Sequence, residues 1–339
     1  MKHESQVMYI AEVSANHLGS FDRALQIVKA AADSGATAVK FQTYTADTMT
    51  LDLEKFGVSE DHSLWGGRRL YDLYVEASTP WSWHQELFAY AKGLGLVPFS
   101  SPFDLSAVEF LESIDCPMYK IASLETGDHR LIQAVASTGK PLIISTGATL
   151  IEEISELVEV VSNSGNPNLT LLVCTSSYPA EPRDSHINRI QLLRDKFGCK
   201  VGLSDHTLGI GVSLGAIALG ATAIEKHLTL KRSDGGADAA FSMEPDEFSN
   251  LVMEGKSIEQ ALGNSEWLMQ PSEAESRRLR RSLYVVKDVS AGDQITLENV
   301  RAIRPGGGAP PKLLDQLLGK TFLANHSAGT PVSIEMFSS

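Results

Sequence analysis

Two segments concentrate residues able to hold a metal ion: Val201-Gly-Leu-Ser-Asp-His206 and Ala223-Ile-Glu-Lys-His227. Each reads as a buried strand that ends in polar side chains. The histidines are about twenty residues apart, and the Gly- and Ala-rich run between them has helical character. Strand, helix, strand is a parallel βα unit. Two imidazoles at the same end of neighbouring parallel strands are placed to share one divalent ion. The competing reading is two ordinary histidines at strand ends. A carboxylate beside each, Asp205 and Glu225, favours the metal.

The other apolar runs also end in chemistry. Glu12 closes the first and Asn16-His17 follows it; Lys40-Phe-Gln42 closes the second. Further along come Lys120-Ile-Ala-Ser123 with Glu125 just beyond, Ser145-Thr-Gly147, and Thr175-Ser-Ser-Tyr178. Alternate strand residues share a face. Ser204 therefore goes with His206, Glu225 with His227, and Lys40 with Gln42, whereas Asp205 and Lys226 face the other way. A buried lysine needs an anion. Lys40 and Lys120 are either paired with Glu12 or Glu125, or they form an anion cradle with the hydroxyls of Ser123, Ser145 and Ser204. Glu12 suits general acid–base work or pairing with Lys40. Gly147 would let its loop approach a ligand closely. His17 reads equally as a surface residue or a ligand, and Tyr178 as a ligand contact or packing. A Ser204-Asp205-His206 nucleophilic triad is disfavoured, because strand neighbours point to opposite faces.

These residues need a scaffold that brings strand ends together. Up to about residue 262, apolar runs alternate with helical windows: strands near 7–12, 38–42, 96–100, 118–122, 141–145, 169–174, 200–203 and 221–226, each followed by a helix. Eight successive βα units predict a (β/α)8 TIM barrel, whose catalytic groups lie at the C-terminal ends of the strands. No G-x-G-x-x-G follows the first strand, which argues against a doubly wound dinucleotide fold. Nearly forty residues lie between Gln42 and Pro80 with little periodicity, and such a connection would sit over the barrel mouth. The barrel is expected over residues 1–263, a polar linker with the basic run Arg277-Arg-Leu-Arg-Arg281 over 264–281, and a small, mostly β domain without helical periodicity over 282–339. A domain that small is expected to lean on another surface.

Composition narrows the setting. The chain has 339 residues, 43% hydrophobic and 21% charged, as for a soluble globular protein. Lys plus Arg number 29 against 42 Asp plus Glu, a formal charge of −13 that argues against binding nucleic acid or an anionic membrane. Cys116, Cys174 and Cys199 sit in apolar runs and read as reduced, buried thiols, which fits the cytoplasm. No apolar run is long enough for a transmembrane helix, and the N-terminus leaves no room for a signal peptide.

Seven segments, in order, complete the pattern: Ile10-Ala-Glu-Val-Ser-Ala-Asn-His-Leu-Gly, Val39-Lys-Phe-Gln-Thr, Ser100-Ser-Pro-Phe-Asp, Tyr119-Lys-Ile-Ala-Ser, Ile144-Ser-Thr-Gly, Gly202-Leu-Ser-Asp-His-Thr and Ile224-Glu-Lys-His. Together the chain resembles the nonulosonic (sialic) acid synthases, which condense phosphoenolpyruvate with a six-carbon amino sugar. Its tail, with Val300-Arg-Ala-Ile-Arg-Pro-Gly-Gly-Gly, looks like their antifreeze-like (SAF) domain. Leu64-Trp-Gly-Gly-Arg-Arg-Leu-Tyr-Asp-Leu-Tyr, Thr79-Pro-Trp-Ser-Trp-His84 and Arg232-Ser-Asp-Gly-Gly-Ala-Asp-Ala-Ala-Phe-Ser242 resemble the branch that makes pseudaminic acid for bacterial surface glycans or flagellin. The N-acetylneuraminate and legionaminate branches are the alternatives, and a non-catalytic sugar-binding barrel is a third. The resemblance implies that His206 and His227 bind a divalent ion, manganese before magnesium or cobalt. It also implies that Lys40, Lys120, Ser123, Ser145 and Ser204 hold phosphoenolpyruvate, and that Glu12 acts near the reacting carbons. Gln42, Glu125, Tyr178 and Asp238 would line the sugar site. Arg304 would reach it from the partner subunit of a domain-swapped homodimer. One departure is Ser176, where sialic acid synthases carry Asn.

Overall fold

The computed structural model describes residues 7–60 and 64–337. Among them, eight strands run parallel and close into a barrel: β1 Met8–Glu12, β2 Ala38–Thr43, β3 Val97–Pro102, β4 Tyr119–Ile121, β5 Leu142–Ser145, β6 Leu169–Cys174, β7 Lys200–Ser204 and β8 Ala223–His227, with β8 pairing back onto β1. Helix α1 Phe21–Asp33 follows β1, and the long connection after β2 carries two short helices, α2 Ala46–Met49 and α3 Leu70–Ala77. The outer ring continues with α4 His84–Gly93, α5 Leu105–Ser113, α6 His129–Ala136, α7 Ile151–Asn163, α8 Arg189–Phe197, α9 Gly211–Ala218 and α10 Pro245–Leu262. The predicted (β/α)8 barrel is therefore present, with element ends moved by a residue or two.

Local sequence explains the elements. The strands are buried on both faces, and so read as apolar runs rather than alternating ones. α1 buries Ala24, Ile27, Val28 and Ala31, one stripe at helical spacing. Ser20, Asp104 and Asp128 cap α1, α5 and α6 by accepting first-turn amide protons. Tyr9, Phe41, Phe99 and Tyr119 are wholly buried in the barrel core, each contributing about 1.5–3 kcal/mol through its apolar surface. β7 and β8 approach so closely at Gly202 that a Cβ there would lie 2.3 Å from the Ala223 carbonyl oxygen. Only glycine permits that separation.

Register then decides which strand-end residues are neighbours. Glu12 stands opposite Lys40 of β2 on one side and opposite His227 of β8 on the other. Cys174, Ser204 and Glu225 form a second row across β6, β7 and β8.

The chain divides into two compact units, Met1–Gly263 and Asn264–Ser339. The second has its own small core, built on Leu283, Val285, Val300, Phe322 and Val332. Its sheet is one antiparallel pair, β9 Ser282–Val285 and β10 Val300–Ile303. Two expectations are corrected here. The sequence reads Ile295-Thr-Leu as a short strand, but it forms none: Ile295 is held by backbone bonds with Lys320 and Gly319, beside a bridge from Gln294 to Thr321. Two helices also occur in this unit: α11 Ala274–Arg278 within the expected linker, and α12 Leu314–Leu317 within the part expected to lack helix. So few residues enclose their core with turns and single bridges rather than with long ladders. The arginines of the basic run are exposed, as a solvated face requires.

Candidate active site

A cavity of about 370 Å³ opens at the C-terminal ends of the strands. Eleven of the predicted residues line it: Gln42, Lys40, Lys120, Ser123, Glu125, Ser145, Tyr178, Ser204, His206, His227 and Asp238. Glu12 does not. It is fully buried beneath the floor, paired with Lys40 and accepting a hydrogen bond from Gln42 Nε2 at 3.0 Å. Arg304 belongs to the second unit, where it is exposed.

Two lysines and Glu225 make up the floor, with Glu12 beneath it. Lys40 pairs with Glu12 and lies 3.9 Å from Glu225 Oε1. Lys120 lies 3.8 Å from that same oxygen. Glu12 or Glu125 was the alternative to an anion cradle as partner for these lysines; Glu12 does pair with Lys40, while the carboxylate beside Lys120 is Glu225. Glu225 sits within β8 and faces the barrel interior, whereas Glu125 lies past the end of β4 in a single 3-10 turn, Ser123–Glu125. Burial opposes the charge on both lysines. For Lys40 the carboxylates of Glu12 and Glu225 outweigh it and hold the ammonium above its usual pKa. For Lys120 burial wins, and repulsion from Lys40 adds to it, so its pKa falls despite Glu225. Burial likewise disfavours the Glu225 carboxylate, but Lys120 and Lys40 prevail and keep it ionised. Lys120 is thus the cation with most to gain from an incoming anion. Ser145 Oγ, Glu225 Oε2 and Glu125 Oε2 are buried without a hydrogen-bond partner among the described residues. Buried polar atoms in that state around one cavity mark a ligand site.

Gly147 is also packed against the serines of this wall. Its amide donates to Ser123 Oγ at 3.0 Å, and a Cβ on it would lie 2.3 Å from Ser176 Oγ and 2.9 Å from Ser123 Oγ. The loop is pressed against its own serines, and glycine makes room for them.

The two imidazoles face each other with ring centroids 5.3 Å apart. The Thr175 carbonyl lies 3.0 Å from His206 Nδ1, which places the proton on that nitrogen and leaves Nε2 with a free lone pair. His227 Nδ1 is buried with no hydrogen-bond partner among the described residues, and Asp238 Oδ2 approaches it only to 3.9 Å. Burial, followed by the positive field of its neighbours, holds His227 well below the usual histidine pKa, so it is neutral. Burial opposes charge on His206, but the Cys174 thiol and the Thr175 carbonyl outweigh it and hold its pKa above the usual histidine value. The two imidazoles line one cavity, and with His206 deprotonated they are a donor set that fits a divalent ion. Among the described residues, no cluster of three or more His, Cys, Asp or Glu has ligand spacing, so further ligands would come from substrate or water. Tyr178 and Phe241 pack on His206 at 4.5 and 6.1 Å. Tyr178 therefore both packs and lines the cavity.

Several residues were missed or misread from sequence. Ser14 hydrogen-bonds Asp238 and accepts from Gln42 Nε2 at 3.1 Å; its signal was its place just beyond Glu12. Cys174 is buried, as expected, and it also lines the cavity, with its thiol 3.9 Å from His206 Nδ1. Cys199 is only partly buried. His17 is neither surface nor ligand: it is fully buried, accepting from the Gly19 amide at 3.0 Å and bonded to Thr79 Oγ1 at 3.2 Å. Asp205 faces away from His206, as parity required, and forms no triad with it. The long connection supplies Met49, Val58, Trp65, Leu70 and Tyr74 to the upper walls. Its residues 61–63 lie outside the described ones.

A parallel eight-stranded barrel with cations, hydroxyls and imidazoles converging at its strand ends defines a TIM-barrel enzyme. The profile of the NeuB family matches residues 27–267, and that of the SAF domain matches residues 280–338. The chain belongs to the NeuB family and is a transferase. It is 42% identical over 317 residues to a pseudaminic acid synthase of Campylobacter jejuni, covering 94% of this chain and 92% of that one. It is 41% identical over 327 residues to the pseudaminic acid synthase of Helicobacter pylori, covering 96% of each. Among solved structures, an N-acetylneuraminic acid synthetase from Leptospira borgpetersenii superposes with a TM-score of 0.72 at 32% identity, covering 80% of this chain and 90% of that one.

Proposed function

We propose that this chain condenses phosphoenolpyruvate with 2,4-diacetamido-2,4,6-trideoxy-altrose to give pseudaminic acid and inorganic phosphate, as a cytoplasmic homodimer. The observation that carries the reading is the cavity floor: two buried lysines sharing Glu225, ringed by serine hydroxyls, beside two imidazoles. The likeness to two pseudaminic acid synthases over nearly the whole chain supports the choice of sugar.

In this reading Lys120, the less satisfied cation, and Lys40 bind the phosphate and carboxylate of phosphoenolpyruvate, with Ser123, Ser145 and Ser204 donating to their oxygens. Glu12 keeps Lys40 charged and orients Gln42 from below the floor. Gln42, Glu125, Tyr178 and Asp238 line the sugar end and fix the open-chain aldehyde against the enol carbon. A carbon–carbon bond forms between them. Water adds at the carbon bearing phosphate, and the tetrahedral species collapses to a 2-keto acid as the carbon–oxygen bond to phosphate breaks. His206 and His227 would hold the divalent ion, manganese by preference, and when bound it would supply Lewis-acid polarisation of the aldehyde.

Phosphate release tests this directly, with three sugars side by side. The altrose-configured diacetamido sugar is expected to give the highest kcat/KM. Chelation, His206→Ala or His227→Ala is expected to abolish turnover. Preference for N-acetylmannosamine, or for the diacetamido sugar of the legionaminate branch, would reject the pseudaminate assignment. Turnover undiminished after chelation would reject the metal.

A further inference from the structure

The ladder between β7 and β8 stops short of the two histidines. β7 and β8 are in register at Leu203–Ile224 and Ser204–Glu225, and the Asp205 amide adds one bond to the Glu225 carbonyl at 2.9 Å. Beyond it the chain turns toward the β6 side, where the Ala180 amide donates to the His206 carbonyl at 3.0 Å. Something else must keep residue 206 beside residue 227.

On the face of the sheet away from the cavity, Lys226 Nζ meets Asp205 Oδ2 at 3.0 Å. These are the residues immediately before each histidine. The ammonium also donates to the Thr207 carbonyl at 2.7 Å and the Gly209 carbonyl at 3.1 Å, which uses all three of its protons. Asp205 Oδ1 accepts from the Thr207 amide at 2.8 Å and from Thr207 Oγ1 at 2.7 Å, while Oδ2 also accepts from Ser213 Oγ at 2.6 Å. Lys226, Asp205 and Thr207 are 1%, 3% and 1% exposed. One side chain of β8 thus holds β7's continuation on both sides of His206, through the Asp205 carboxylate before it and the Thr207 and Gly209 carbonyls after it. A buried ion pair adds little net stability over an apolar pair of equal volume, whereas a fully satisfied one fixes geometry.

We propose that the Asp205–Lys226 pair is a positioning clamp that sets the spacing of the His206 and His227 imidazoles for a shared divalent ion. Neither residue touches substrate. The clamp acts through the histidines, and it rests on the reading above that they hold the metal.

The test uses the full-length chain and Mn2+ alone, with free Mn2+ followed by electron paramagnetic resonance. Lys226→Met, which keeps the stem but not the charge, is expected to weaken Mn2+ binding about 10–100-fold, the usual effect of losing an outer-shell partner. Asp205→Asn, a smaller perturbation for use if Lys226→Met fails to fold, should weaken it in the same direction. Phosphoenolpyruvate binding to the chelated protein, followed by calorimetry, should stay within threefold of wild type in both. Raising Mn2+ should restore turnover, which a merely destabilised barrel would not show. Mn2+ affinity within twofold of wild type in either folded variant overturns the clamp alone. Wild-type protein that binds no Mn2+, or a His227→Ala protein that binds it unchanged, overturns the metal reading and the clamp with it.

Discussion

At the scale of single residues, exposure alone says little about charge. His84 is fully buried at the start of α4, with Nδ1 donating to the Pro80 carbonyl at 3.3 Å and Nε2 accepting from Thr43 Oγ1 at 2.8 Å. Burial holds its pKa down to about 4, only partly offset by backbone hydrogen bonds. A free histidine titrates near 6.5. Above that value the imidazole is neutral in both states and stability is full. As pH falls from 6.5 toward 4, the unfolded chain takes up a proton that the folded chain refuses. Stability should then drop by on the order of 3 kcal/mol for this group. Urea denaturation of His84→Gln should show lower stability at pH 7 but a shallower fall to pH 4.5, and parallel profiles for the two proteins would refute the assignment. Residue types were legible in the sequence because strand alternation sorts side chains by face: Asp205 and Lys226 do leave the cavity. Their burial was not legible, because both faces of a barrel strand are covered, so parity reports direction and not exposure. Glu225 was overlooked as a counter-ion for a related reason. It was read as the companion of His227, while its partner Lys120 comes from β4, a contact that no local pattern encodes.

At the scale of elements, the strand-and-helix alternation carried the barrel, while the connection after β2 resisted reading. Its order comes from contacts far apart in sequence. Trp65 Nε1 donates to the Ala237 carbonyl at 2.9 Å, and Tyr44 packs edge-on against Tyr74 and Phe103 at 5.8 and 5.1 Å. Gly57 bridges Arg69, whose ion pairs with Asp52, Glu54 and Asp72 are largely solvated and add little. The connection thereby gives the cavity an apolar upper wall above a charged floor. In the proposed reading phosphoenolpyruvate takes the floor with the aldehyde beside it, which puts the far end of the sugar against Met49, Val58 and Leu70. Methyl groups suit that wall, and hydroxyl or phosphate groups do not. Leu70→Asn should raise the KM for a 6-deoxy diacetamido sugar about tenfold, within the range for one lost apolar contact. The KM for phosphoenolpyruvate should stay unchanged, because no floor residue moves. Equal effects on both constants would mean that the wall supports the floor rather than selects the sugar.

At the scale of the whole molecule, the second unit poses the remaining problem. Its core is small, and the segment leading into it exposes Trp267 completely, with Leu268 and Met269 more than half exposed. Adjacent exposed apolar side chains mark a surface that another surface covers. With the resemblance pointing to Arg304 as a residue supplied by a partner, the expectation is a swapped dimer of twice the 36.7 kDa chain mass. Mass alone would not show that each site is shared, but complementation would. His227→Ala lacks a barrel residue and Arg304→Ala lacks the residue from the second unit, so each homodimer should be nearly inactive toward the sugar. In a heterodimer of the two, one site combines an intact barrel with an intact Arg304 and the other lacks both. If subunits exchange at random, half the dimers are mixed and each has one working site of two. Activity in the mixture should therefore rise to about a quarter of wild type. If Arg304 instead completes the site of its own chain, a mixed dimer contains no intact site, and no activity should return at any ratio of the two variants.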